Sequence, residues 1–299
     1  MPSAASMSPP PPSSPSPPAV PAGVVWLASY PKSGNTWLRI LLSNLLEDGD
    51  APQDINDLRL RNGIAADRWT FDDLTLLESR LLRDDEVERL CPAVHDAFAA
   101  ECAAAAFVKV HNAYVRLDDG MPLLGRCGRA AVYLVRDPRD VAVSYAFHND
   151  CDLARAIADL NNPAHALEGK RHQQTRQRLL DWGGHAASWL DQSDLPVHLL
   201  RYEDLLADTA AAFGRVLDFL GVTADADRIV RAARHADFSE LQRQERRGGF
   251  AERVGSAPFF RRGQAGGWRE CLTPAQVRAI EDAQGPAMDR LGYRRETTG

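Results

Sequence analysis

The sequence predicts an α/β fold: a central parallel β-sheet with helices on both faces. Three observations carry this expectation. Short, continuously apolar runs at residues 24–28, 107–110 and 131–135, with a fourth at 197–200 after Pro196, have the length of buried parallel strands. Helical patterns alternate with them, which implies crossover connections within one sheet. The groups with chemical potential cluster just after the strands, at the edge where ligands sit in such sheets.

Each element has its own justification. The run at 24–28 leads through a short loop into a helical pattern at 36–46. The run at 131–135 leads into a helix at 137–147, opened by Asp137 and by Pro138 in its first turn. The run at 197–200 leads into a helix at 203–219, with apolar residues at Leu205, Leu206, Phe213, Val216, Leu217 and Leu220 and a stop at Gly221. Thr273-Pro274 opens a last helix toward Met288.

Composition bounds the rest. The chain has 299 residues, 44% hydrophobic and 25% charged, so a single domain over residues 24–299 can hold a substantial core. Residues 1–23 are mostly Pro, Ser and Ala and read as a disordered Pro-rich tail with neither the basic nor the apolar region of a secretory signal. No apolar run of about 18 residues predicts a membrane span. Five scattered cysteines without a CxxC pair fit a reducing cytoplasm better than a disulfide framework or a zinc site. Net charge is -6, yet seven arginines crowd residues 243–269. A cationic patch on an acidic chain points to a small anionic ligand rather than to nucleic acid.

Tyr30-Pro31-Lys32-Ser33-Gly34-Asn35-Thr36-Trp37 joins the first strand to the first helix. A Gly-containing loop at a helix start converges backbone N–H groups on an anion, and Lys32 adds a mobile cation. It is not a Walker A loop, which needs GxxxxGK followed by Ser or Thr. The bare residues also allow a plain helix N-cap. Arg136 stands at the end of another strand, with Ser144 eight residues on in the following helix, so that a phosphate clamp and a surface Arg–Asp network are both open. Alternation places Lys109 and His111 on one face of their strand, about 6.5–7 Å apart. An imidazole there can accept a hydroxyl proton near neutral pH. Far downstream, Phe260-Arg261-Arg262-Gly263-Gln264-Ala265-Gly266-Gly267-Trp268 has the arginines and glycines of a loop that closes on an anion.

Together these segments resemble the PAPS-dependent sulfotransferase family, above all its cytosolic type, from about Val24 to Tyr293 in the family's order and spacing. The resemblance implies a P-loop-like domain that takes 3'-phosphoadenosine-5'-phosphosulfate (PAPS) as cosubstrate and yields adenosine 3',5'-bisphosphate (PAP), without a metal. It implies that Lys32, Ser33, Gly34, Asn35, Thr36 and Trp37 hold the 5'-phosphosulfate, with Asn35 where the family usually has Thr. Arg136 and Ser144 would hold the 3'-phosphate, with Asp137 in place of the usual Asn and able to pair with Arg139. Tyr202 and Phe238 would face adenine, and Trp37 and Phe238 would sandwich it, although Ala236 replaces a common Thr. Arg261, Arg262 and Gly263 would close on the 3'-phosphate. His111 would be the general base, with Lys32 and Lys109 stabilising the transferring group; the Pro that usually follows the His is replaced by Asn112-Ala113.

The expected reaction is sulfuryl transfer to a hydroxyl of a small acceptor, received in variable loops at 48–82 and 149–170. Neither nucleic acid nor membrane is an expected partner. Arg269, Pro274 and Arg278 stand where the family's dimerisation segment typically has Lys, Val and Glu, which leaves monomer and homodimer open. Two rivals compete with this reading: a P-loop kinase for small molecules, and a PAPS-binding protein without turnover.

Overall fold

The strands are β1 (Gly23–Ser29), β2 (Ala105–Val110), β3 (Gly128–Val135), β4 (Ala166–Leu167), β5 (Gln177–Arg178) and β6 (Val197–Arg201). In the structure, a computed structural model describing residues 18, 20–58, 60, 63–169 and 173–296, four of these form one parallel sheet in the order β2-β1-β3-β6. Strands β4 and β5 pair antiparallel in a separate ribbon. Residues 1–17 and 19 of the Pro-rich tail lie outside the described residues. The four apolar runs read from the sequence are the four sheet strands.

Both faces of the sheet are covered, which is why its strands are apolar on successive residues. Val24, Trp26 and Ala28 of β1 pack into one cluster with Leu160, Trp182, Trp189, Ile280 and Met288. Those partners come from α5 (Leu153–Leu160), α6 (Trp182–Leu190) and α11 (Pro274–Arg290). Val25 and Leu27 turn the other way, onto Leu38, Leu41, Phe213 and Val216 of α1 (Asn35–Glu47) and α8 (Thr209–Leu220). Each such fully buried apolar side chain contributes about 1.5–3 kcal/mol.

Register positions the site. Ala28 lies opposite Val110, and Ser29 opposite Leu134. The loop after β1, His111 after β2 and Arg136 after β3 therefore emerge side by side at one edge. On β3 follows α4 (Pro138–Asn149), capped by Asp137, whose carboxylate accepts from the Arg139 N–H at 2.9 Å.

The helix expected at 203–219 is two helices, α7 (Tyr202–Ala207) and α8. Asp208 breaks them: its backbone is extended at φ -148°, and its side chain caps α8 by accepting from Ala211 N–H at 2.9 Å. The apolar period runs through the break, so periodicity alone did not reveal it. The last helix starts as expected, with a reciprocal Thr273–Gln276 capping box, and runs on to Arg290. The remaining helices are α2 (Arg68–Thr75), α3 (Asp84–Glu101), α9 (Ala226–His235) and α10 (Phe238–Gly248). Among the described residues, no helix is long and apolar enough to cross a membrane.

Candidate active site

A cavity of about 490 Å³ opens at the carboxyl edge of the sheet. Every site residue expected from the sequence lines it except Ser33. Ser33 is fully buried, and its hydroxyl finds no hydrogen-bond partner among the described residues.

The loop after β1 owes its shape to two left-handed residues, Lys32 at φ 71° and Gly34 at φ 106°. A Cβ on Gly34 would lie 2.9 Å from the Tyr202 ring, so the close approach of α7 also requires glycine there. Asn35 turns its amide away from an incoming anion. Its Nδ2 donates to the Leu27 carbonyl at 2.7 Å and to Ser29 Oγ at 3.2 Å, tying the start of α1 to β1. That leaves the backbone N–H groups at the start of α1 as the loop's anion donors. Trp37 donates Nε1–H to the Ala236 carbonyl at 2.9 Å, and its ring meets Tyr202 edge-on at 5.6 Å between centroids.

Lys32 Nζ lies 3.9 Å above the centroid of the Phe259 ring. Burial, then the charges of Lys109 and Arg136, pull its pKa down to about 7. Three cations thus crowd one wall, an arrangement that an anion relieves.

His111 Nδ1 is 2.8 Å from the Ser29 carbonyl oxygen. A carbonyl only accepts, so the proton is on Nδ1 and the lone pair is on Nε2. Burial, then the Lys109 charge, lowers the imidazole to about 3, against the pull of the Ser29 hydrogen bond. The ring is therefore neutral, with its Nε2 unprotonated. Beneath it, His185 contacts the His111 carbonyl through Nε2 at 3.0 Å, and Tyr133 Oη through Nδ1 at 2.9 Å.

Sequence reasoning missed Glu252. It is the only carboxylate among the described residues that line the cavity. Its Oε2 accepts from Lys109 Nζ at 3.1 Å and from Thr36 Oγ1 at 3.3 Å, and its Oε1 accepts from Arg39 at 2.5 Å. Burial opposes its ionisation, but Lys109 and Arg39 outweigh that and hold the carboxyl at about 2. Its only sequence signal was an acid inside an arginine-dense stretch.

At the other end, Arg136 stacks 4.3 Å over Tyr202 and donates to the carbonyls of Lys32 at 3.3 Å and Gln264 at 3.0 Å. The Arg136 Nε is buried without a partner among the described residues. Asp137 does not intrude here, because both its oxygens are taken by Arg139, at 2.9 and 2.6 Å. Asp140 pins the glycine loop by accepting from Gly266 N–H at 2.7 Å and Trp268 N–H at 3.0 Å. Gly263, at φ 60°, lies so close to Phe238 that a Cβ would come within 2.3 Å of its ring. Arg261 stacks 4.1 Å from the Phe147 ring, and Arg262 pairs with Glu270 at 2.6 Å. Ser144 also lines the cavity.

The third region takes Ile64 from the expected 48–82 segment and Asn149, Leu167 and Gly169 from the expected 149–170 segment. Lys170 lies outside the described residues. Both segments carry structure of their own, α2 in the first and α5 and β4 in the second. Gln173, Gln174, Gln177, Val254 and Phe259 complete this end and were not foreseen.

The donor set fits an anionic purine nucleotide. The lining holds Lys32, Lys109, Arg136, Arg261 and Arg262 against the single carboxylate of Glu252, with aromatic rings between them. A neutral imidazole faces the same space.

A family model described as "Sulfotransferase domain" matches residues 23–292. Among curated relatives, Sulfotransferase 1B1 of Mus musculus is 22% identical over 272 residues, covering 87% of this chain and 80% of the relative. Sulfotransferase 1E1 of Bos taurus is 25% identical over 262 residues, covering 83% and 78%. Among solved structures, retinol dehydratase in complex with androsterone and inactive cofactor PAP superposes with a TM-score of 0.60 at 22% identity, covering 89% of this chain and 80% of that one. Mouse sulfotransferase SULT7A1 complexed with PAP gives 0.53 at 19% identity, covering 89% and 84%.

Proposed function

This chain belongs to the sulfotransferase-domain family, and from that premise we propose that it transfers a sulfuryl group from PAPS to a hydroxyl of a small acceptor in the cytoplasm. One observation carries the finer reading. A neutral His111, with its Nε2 lone pair free, shares one cavity with Lys32 at the anion loop.

The chain's own groups divide the work. The α1 backbone N–H groups and Lys32 bind the 5' end, and Arg136, Ser144, Arg261, Arg262 and the Gly263 turn bind the 3'-phosphate. Trp37, Tyr202 and Phe238 bound the adenine slot. PAPS, when bound, supplies the sulfuryl group, whose new bond to the acceptor oxygen forms as its bond to the bridging phosphate oxygen breaks. His111 Nε2 takes the hydroxyl proton, a contribution of about 10²–10⁴ in rate. Lys32 stabilises the charge left on the leaving phosphate, worth about 10²–10³.

The test is incubation with sulfur-labelled PAPS and an extract of host metabolites. Label recovered on a small molecule, with release of PAP, is the expected result. ATP-dependent, EDTA-sensitive phosphorylation without sulfuryl transfer would establish the kinase instead. Tight PAP binding without turnover over a broad acceptor panel would leave a binding protein.

A further inference from the structure

The geometry points to Glu252 as a positioning residue for the transfer: through Lys109 it offsets the positive charge that His111 takes on when it accepts the acceptor's proton. This inference rests on the sulfuryl transfer proposed above, with His111 as its base.

Glu252 is held firmly from both flanks. Ala251 N–H donates to Asn56 Oδ1 at 2.8 Å, and Asn56 Nδ2 donates to the Gly249 carbonyl at 3.1 Å. On the other flank, Phe250, Phe259 and Phe260 pack with ring centroids 4.7–5.2 Å apart. The carboxylate is thus built into the wall rather than carried on a loose arm. Arg39 from α1 and Lys109 from β2 take its two oxygens.

Glu252 is not itself the base. Both its oxygens are engaged, Oε1 by Arg39 and Oε2 by Lys109 and Thr36. Its effect reaches His111 indirectly. Lys109 sits two residues before His111 on the same face of β2, and its charge is second only to burial in opposing an imidazolium. The other groups facing the ring do not supply an anion: the Ser29 carbonyl is neutral, and His185 is a neutral imidazole pushed to about 4 by burial. Among the described residues that line the cavity, Glu252 alone carries negative charge to this corner. With it, one carboxylate offsets part of the charge of Lys109, Arg39 and His111 after proton transfer; without it, three partly buried cations face one another.

The experiment compares two acceptors at about pH 8, where 4-nitrophenol is already ionised and needs no base whereas phenol does. In E252Q we expect kcat for phenol to fall about tenfold or more, kcat for 4-nitrophenol to fall less than about twofold, and PAP affinity to be kept. In a K109M background, E252Q should cost phenol transfer less than about twofold, since the path runs through Lys109. Equal losses on the two phenols, or a full loss in the K109M background, would overturn the inference and leave Glu252 a structural strut. Should E252Q not fold, E252D keeps the charge and is read the same way, as a smaller loss confined to phenol. Wild-type protein that binds PAP but transfers to neither phenol would instead overturn the catalytic reading on which this inference rests.

Discussion

His111 gives its Nδ1 proton to the backbone carbonyl of Ser29, 2.8 Å away across the β1–β2 pairing. The bond costs nothing in sheet geometry, because Ser29 ends β1 beside the end of β2. It fixes the tautomer, so the same contact that anchors the ring prepares Nε2 to receive a proton.

His111→Asn tests whether the ring is a base or a strut. The Asn amide can still donate toward Ser29 but has no basic nitrogen. Transfer should drop by about 10²–10⁴ with PAP affinity within about threefold of wild type, read by product assay and calorimetry. Joint loss of turnover and nucleotide binding would make the ring structural.

Lys32 predicts a pH dependence in nucleotide binding. Its pKa of about 7 in the free chain rises when an anion occupies the loop. Below about pH 7 it is already protonated and contributes no pH dependence; above that, binding must take up a proton. The PAP dissociation constant should therefore rise between about pH 7 and 9, approaching tenfold per unit, with proton uptake visible in buffers of different ionisation enthalpy. Lys32→Arg, which stays charged, should flatten the profile.

Much of this site was legible because its parts are local. Lys32, Lys109, His111 and Arg136 each stand within three residues of a buried strand's end, and apolar runs locate strand ends. What was not legible depends on long-range pairing. Glu252 meets Lys109 across 143 positions and Arg39 across 213, and no local pattern records either contact. Side-chain direction was equally hidden: Asn35 sits in the expected loop but turns its amide to the Leu27 carbonyl, and Ser33 is fully buried. The break at Asp208 escaped because an N-cap aspartate inside an amphipathic run looks like one more polar face residue.

Arg139 ties down the start of α4, which follows Arg136 and carries Ser144. Its guanidinium pairs with Asp137 at 2.6 Å and Glu281 at 2.7 Å, and lies 4.0 Å over the Trp268 ring, with the pair to Glu281 fully shielded from water. Arg139→Ala should cost about 3–5 kcal/mol in urea unfolding, because it removes the shielded guanidinium that Asp137 and Glu281 share.

Gly263 tests the closing loop without touching the chemistry. At φ 60° an alanine pays about 1–2 kcal/mol of backbone strain, and its Cβ would lie 2.3 Å from the Phe238 ring, displacing the wall of the purine slot. Phe238 is only partly buried at the border of the second core cluster, so the melting temperature of Gly263→Ala should change by only about a few degrees. PAP affinity should nevertheless fall about tenfold or more by calorimetry, a loss matching the strain plus the displaced aromatic contact. Unchanged PAP affinity would mean that the Arg261–Gly263 turn does not bound the nucleotide, and the five-cation wall would then have to bind its anion through Lys32, Lys109 and Arg136 alone.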